Sequence, residues 1–175
     1  MNQVYQTKQF ADFLTVTCLE WKDVLIDNRF KDIVVESLSF LCKANKISVY
    51  AFVIMSNHFH LIWQMLADYR RNEVQRDFLK FTSQQILKTL RNEESAILKE
   101  LLVQSADRKY QVWERNPLSI PLWSPWFIDQ KIDYIHDNPV RAGLCKYPWD
   151  YKYSSAGFYY RHEENWTFLT HYEGG

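Results

Sequence analysis

The chain has 175 residues, no net formal charge, an apolar fraction of 47% and an aromatic fraction of 17%. These values argue against a disordered chain and against a binder of nucleic acid that is strongly basic throughout, while leaving room for a local basic face, and leave one domain spanning residues 1–175 as the expectation. With no run of about 18 apolar residues, and with Cys18, Cys42 and Cys145 far apart and outside any CxxC pair, a reduced, soluble, cytoplasmic protein away from membranes is expected.

Residues 13–19 (FLTVTCL) are rich in β-branched and aromatic types and predict a strand. Residues 27–45 place Phe30, Ile33, Val34, Leu38, Leu41 and Cys42 at helical spacing, and Asn45 suits the helix end. Residues 47–54 (ISVYAFVI) and 58–65 (HFHLIWQM) read as strands joined through a short turn at Ser56 and Asn57, hence a hairpin. A long helix is predicted over about residues 73–90, with Val74, Phe78, Phe81, Ile86 and Leu90 near one face. A second helical piece is expected at 98–102 and a short strand at 110–114 (YQVWE). A further helix should run from Pro125 to about Ala142, with Pro139 either ending it early or kinking it. Residues 143–175 read as an irregular aromatic extension wrapping the core. The order implies an α+β fold with a central antiparallel sheet and helices mainly on one face.

Charge is locally uneven. Arg70, Arg71, Arg76 and Lys80 form one basic cluster and Arg108, Lys109 and Arg115 another. On counts alone, a solvated surface is the plainer reading of both.

Two patterns carry chemistry. In Asn57-His58-Phe59-His60-Leu61, residues two apart on a strand face the same way, with Cα atoms about 6.6 Å apart. His58 and His60 can therefore converge on one metal ion, while Phe59 and Leu61 point into the core. Two imidazoles are an incomplete site, so a further ligand must come from elsewhere in the fold. In the second pattern, Tyr134 and Asn138 are four apart on a helix and share a face, and Lys131 lies one turn before Tyr134. A phenol, an amide oxygen and a cation are thereby gathered where a phosphodiester could lie. The plainer readings are exposed strand histidines, a tyrosine packed in the core, and a turn asparagine before proline.

Taken together, Asn57-His58-Phe59-His60 and the later Tyr134-Ile135-His136-Asp137-Asn138-Pro139-Val140-Arg141-Ala142-Gly143 resemble the single-tyrosine HUH transposases. Tyr110-Gln111-Val112-Trp113-Glu114 and Pro148-Trp149-Asp150-Tyr151-Lys152-Tyr153-Ser154-Ser155-Ala156 are similar to the REP-associated branch of that family, relatives of the insertion-sequence-200 type. The resemblance implies a ferredoxin-like plan and a metal-dependent endonuclease and strand transferase. His58, His60 and Asn138 would hold Mg2+ or Mn2+, and Tyr134 would form a 5′-phosphotyrosine on single-stranded hairpin DNA. Arg70, Arg71, Lys131 and Arg141 are the candidate DNA contacts. His136, two residues from Tyr134, should point away from the reaction. The oligomeric state stays open between monomer and homodimer. The rival readings are a non-catalytic single-stranded nucleic-acid-binding module on the same sheet and a hydrolase with water as nucleophile.

Overall fold

The computed structural model describes residues 10–173. Its main elements are strand β1 (Ala11–Thr17), helix α1 (Asn28–Lys43), strands β2 (Ile47–Ile54) and β3 (His58–Met65), helices α2 (Arg71–Asn92) and α3 (Ile97–Glu100), strand β4 (Leu118–Leu122), and helices α4 (Pro125–Arg141) and α5 (Ala156–Arg161). The strands form one sheet in the order β2-β3-β1-β4, and every pairing is antiparallel. This is the ferredoxin-like plan on an α+β architecture.

The β2–β3 hairpin closes where the Met55 N–H donates to the His58 carbonyl at 2.8 Å. Strand alternation then sorts β3 between two cores. Phe59, Leu61, Trp63 and Met65 join Leu14 and Val16 of β1 on one face, against Phe30, Val34 and Leu38 of α1 and Val74, Phe78 and Ile86 of α2. Ile62 joins Phe13, Ala51, Val53 and Leu122 on the other face, under Ile128, Ile132 and Ile135 of α4. Two of the three long helices thus share one face, and α4 lies over the other.

Helix α4 is well delimited. The Ser124 hydroxyl oxygen caps it by accepting the Phe127 N–H at 3.2 Å, and Pro125 occupies the first turn. The helix continues through Pro139 to Arg141, where early termination or a kink was expected. It stops at Gly143, whose φ of +72° needs no Cβ. The Gly143 N–H reaches the Val140 carbonyl and the Leu144 N–H the Pro139 carbonyl, both at 2.9 Å, the paired bonds of a Schellman end.

Two segments differ from the sequence reading. Residues 110–114 form no strand of the sheet; Tyr110 and Trp113 make isolated bridges to Leu102 and Cys18. The fourth strand is instead LSIPL, residues 118–122. Pro121 argues against a strand in sequence but is tolerated here because β4 is an edge paired only with β1. After α4, the chain follows the open edge of β2: the Ile54 N–H donates to the Tyr153 carbonyl, and the Ser155 N–H to the Phe52 carbonyl, both at 2.9 Å. Among the described residues no helix is long and apolar enough to cross a membrane.

Candidate active site

The face of β3 opposite Phe59 and Leu61 carries His58 and His60, and α4 crosses above it. His60 is 4% exposed. Its Nδ1 lies 2.9 Å from the Thr15 hydroxyl, and the Phe13 ring stacks on it with centroids 5.3 Å apart. His58 Nδ1 lies 2.7 Å from the Asn57 side-chain oxygen. The two imidazole centroids are 5.0 Å apart. Burial pushes the His60 imidazole down to about 3, with nearby His58 and Lys131 adding to the effect. Burial lowers His58 as well, opposed by a side-chain hydrogen bond to Asn138. Both rings are therefore neutral at physiological pH, the form in which an imidazole ligates a metal.

Helix α4 supplies the rest. Ile128, Ile132 and Ile135 bury one stripe against the sheet, which turns Lys131, Tyr134 and Asn138 toward the histidines. The Tyr134 ring stands edge-on to His60 at 5.2 Å and to Phe13 at 5.9 Å, yet remains 37% exposed to solvent. The Lys131 ammonium sits 4.8 Å from the Phe13 ring centroid and 5.5 Å from those of Phe127 and Tyr134. Among the described residues no cluster of three or more His, Cys, Asp or Glu side chains could hold a metal. A cation at this place would therefore use the two imidazoles and the Asn138 amide, not a carboxylate cage. On His60 the Thr15 hydroxyl engages Nδ1 and leaves Nε2 to ligate; on His58, Asn57 engages Nδ1 and the hydrogen bond to Asn138 would give way to the ion, so the donor set fits a divalent ion with open positions.

The other candidates are dispersed. Arg71 donates to Asp12 at 2.7 Å and to the Ser119 hydroxyl at 3.3 Å. Asp12 stands opposite Trp63, whereas Thr17 stands opposite His58; Arg71 therefore sits roughly 16 Å along the strand from the histidine end. Arg70, at the start of α2, is largely exposed and lies 4.0 Å from Glu73. Arg141 is exposed in the last turn of α4. His136 is fully buried, with Nε2 2.8 Å from the Ser155 hydroxyl on the side of α4 away from the histidine pair. Arg76, Lys80 and Arg91 of α2 meet Arg108, Lys109 and Arg115 along one groove with Asp107 and Glu114, so cations distant in sequence share a surface.

Sequence reasoning missed Thr15, Phe13 and Trp21. The Trp21 ring is 60% exposed and edge-on to His58 at 5.6 Å. Glu20 and Trp21 both hold positive φ, 51° and 58°, a conformation that costs non-glycine residues energy and tends to persist at functional sites. Nothing in the local sequence signals either fact. Among the tryptophans, Trp63 and Trp113 are core, while Trp123 and Trp126 are 69% and 71% exposed at the start of α4.

Comparison with known proteins bears on the fold and the family. No curated protein matches the chain. The solved structure of a REP-associated tyrosine transposase bound to a REP hairpin matches with a TM-score of 0.63 at 15% identity, over 100% of this chain and 96% of that one. A transposase candidate from Deinococcus radiodurans R1 matches with a TM-score of 0.51 at 14% identity, over 78% of this chain and 95% of that one. At such identities these likenesses establish the fold. The sequence profile of the IS200-like transposases matches residues 12–111, a span that holds both histidines and the β1–α1–β2–β3–α2 frame from the second residue of β1 onward. The chain belongs to the IS200-like transposase family.

Proposed function

We propose that this transposase cleaves and rejoins single-stranded DNA through a covalent Tyr134 intermediate, with His58, His60 and Asn138 holding Mg2+ or Mn2+. The observation that carries the reading is the meeting of two distant segments in one chain: α4 sets Tyr134 against His60 and Asn138 against His58. Tyr134 is 37% exposed beside His60, which leaves its ring accessible from solvent.

A bound divalent cation supplies Lewis-acid polarisation of the scissile phosphate and offsets charge on its oxygens. The protein's residues do the remainder. The Tyr134 oxygen attacks phosphorus as its phenolic proton leaves; the new O–P bond forms as the P–O3′ bond breaks, and the departing 3′-oxygen takes up a proton. The products are a 5′-phosphotyrosine and a free 3′-hydroxyl. Attack by a 3′-hydroxyl reverses the step, and because the ester link conserves the phosphodiester, rejoining needs no nucleotide. Lys131, one turn before Tyr134, offers its ammonium to the phosphate. Exposed Trp21, Trp123 and Trp126 offer stacking faces for unpaired bases.

The hairpin bound to the REP-associated structural neighbour supports hairpin DNA as the substrate class. The groove joining Arg76, Lys80 and Arg91 to Arg108, Lys109 and Arg115 suits the phosphates of its stem. Arg141 lies on the same helix as the nucleophile, and Arg70 is largely exposed and paired only at 4.0 Å with Glu73, whereas Arg71 is committed to Asp12. The test is a denaturing gel of labelled hairpin DNA incubated with Mn2+ and protein. A label retained on wild type and lost in Tyr134→Phe, His58→Ala and EDTA is expected. Cleavage that survives in Tyr134→Phe rejects the tyrosine and favours water as nucleophile; binding without any cleavage favours a non-catalytic module.

A further inference from the structure

Thr15 lies directly opposite His60 in the antiparallel register of β1 and β3, so both side chains emerge on the same face. The hydroxyl is 2.9 Å from His60 Nδ1. Phe13, two residues earlier on that face, stacks on the imidazole at an interplanar angle of 18°. The ring is thus fixed in plane by Phe13 and in rotation by Thr15, and at 4% exposure it has little access to water.

We infer that Thr15 is a positioning residue for the metal site: its hydroxyl oxygen accepts the Nδ1–H of His60 and so leaves the Nε2 lone pair free to ligate. The inference rests on the metal-dependent reading above. A neutral imidazole carries its proton on one nitrogen only, and the partner of the other nitrogen decides which. Were the proton on Nε2, that nitrogen could not ligate without first losing it, and Nδ1 faces Thr15. His58 has the same arrangement by a local route, through the Asn57 side-chain oxygen at 2.7 Å. His60 lacks a polar sequence neighbour for this, since Phe59 and Leu61 flank it, and takes its orienting oxygen from the adjacent strand. Such orienting partners commonly govern metal affinity.

Thr15→Val keeps the shape and removes the oxygen; Thr15→Ser keeps the oxygen. Free Mn2+ is measured by electron paramagnetic resonance during titration of wild type, both variants and His58→Ala, without DNA. Thermal melts in EDTA check folding, and long-range 15N–1H NMR reads the His60 tautomer in metal-free protein. The expected result is roughly 10–100-fold weaker Mn2+ binding in Thr15→Val, affinity within about threefold of wild type in Thr15→Ser, and a proton on Nδ1 of His60 in wild type but not in Thr15→Val. Unchanged Mn2+ affinity in a folded Thr15→Val overturns the role of Thr15 while leaving the metal site standing. Wild type binding no more Mn2+ than His58→Ala overturns the metal site itself, and the role of Thr15 with it.

Discussion

The Tyr134 ring stands edge-on to His60, with 5.2 Å between centroids, although one belongs to a helix and the other to the strand beneath it. Both lie in the same chain and meet through the packing of α4 on the sheet. Because the ring is 37% exposed, Tyr134→Phe is expected to change stability by less than about 1 kcal/mol. The same substitution should lower covalent DNA capture by at least about 10³-fold, some 4 kcal/mol of barrier. Urea unfolding and single-turnover cleavage check the two halves. A large stability loss would make Tyr134 a packing residue instead.

Asn138 hydrogen-bonds His58 and is the proposed third donor to the metal. Asn138→Ala should weaken Mn2+ binding about tenfold or more, with metal-free folding preserved. Asn138→Asp should retain or strengthen it, because a carboxylate is a better donor to Mn2+ than an amide. Calorimetric titration of the metal alone decides; equal affinity in Asn138→Ala would remove this residue from the ligand set.

His136 ties α4 to the segment bordering β2. Its Nε2 meets the Ser155 hydroxyl, which in turn accepts the Phe52 N–H at 3.0 Å. Burial pushes its imidazole from 6.5 down to about 4. Above 6.5 the ring is neutral in both folded and unfolded chains, and its contribution to stability is full. Between 6.5 and 4 the unfolded chain takes up a proton that the folded one refuses, so stability falls with pH by up to about 3 kcal/mol. Denaturant unfolding in EDTA at pH 7 and pH 4.5 should therefore show a smaller difference for His136→Gln than for wild type. An identical difference would mean that the acid sensitivity arises elsewhere.

Lys80 and Lys109 approach the same groove from α2 and from the segment before Trp113. Replacing both with glutamate should weaken hairpin binding and reduce the slope of log K against log salt by about 0.9 for each phosphate of a duplex stem that is no longer neutralised. Metal affinity and the Tyr134 adduct on a short unpaired oligonucleotide should stay near wild type. A parallel loss on hairpin and oligonucleotide would place the groove on the single strand instead.

Much of the frame is legible in the residues themselves. The FVI and HFHLIW runs meeting at Ser56 and Asn57 dictate a hairpin, and period-two alternation puts His58 and His60 on one face with Phe59 and Leu61 on the other. Period 3.6 likewise gathers Lys131, Tyr134 and Asn138 along one side of α4. Periodicity states which side of an element is apolar; it does not state which face of the sheet that side will cover. That α4 crosses β3 on the histidine face was settled by packing of Ile128, Ile132 and Ile135 on Val53 and Ile62. Strand register, equally invisible to local pattern, set Thr15 beside His60 and Asp12 where it draws Arg71 away. Pro121 hid β4 because its cost depends on whether a strand is central or at an edge, a property of the whole sheet. The sequence by itself determined the chemical groups and the face each shows within its own element. Only the tertiary structure decided which faces meet, because that depends on burying apolar surface between segments far apart in the chain.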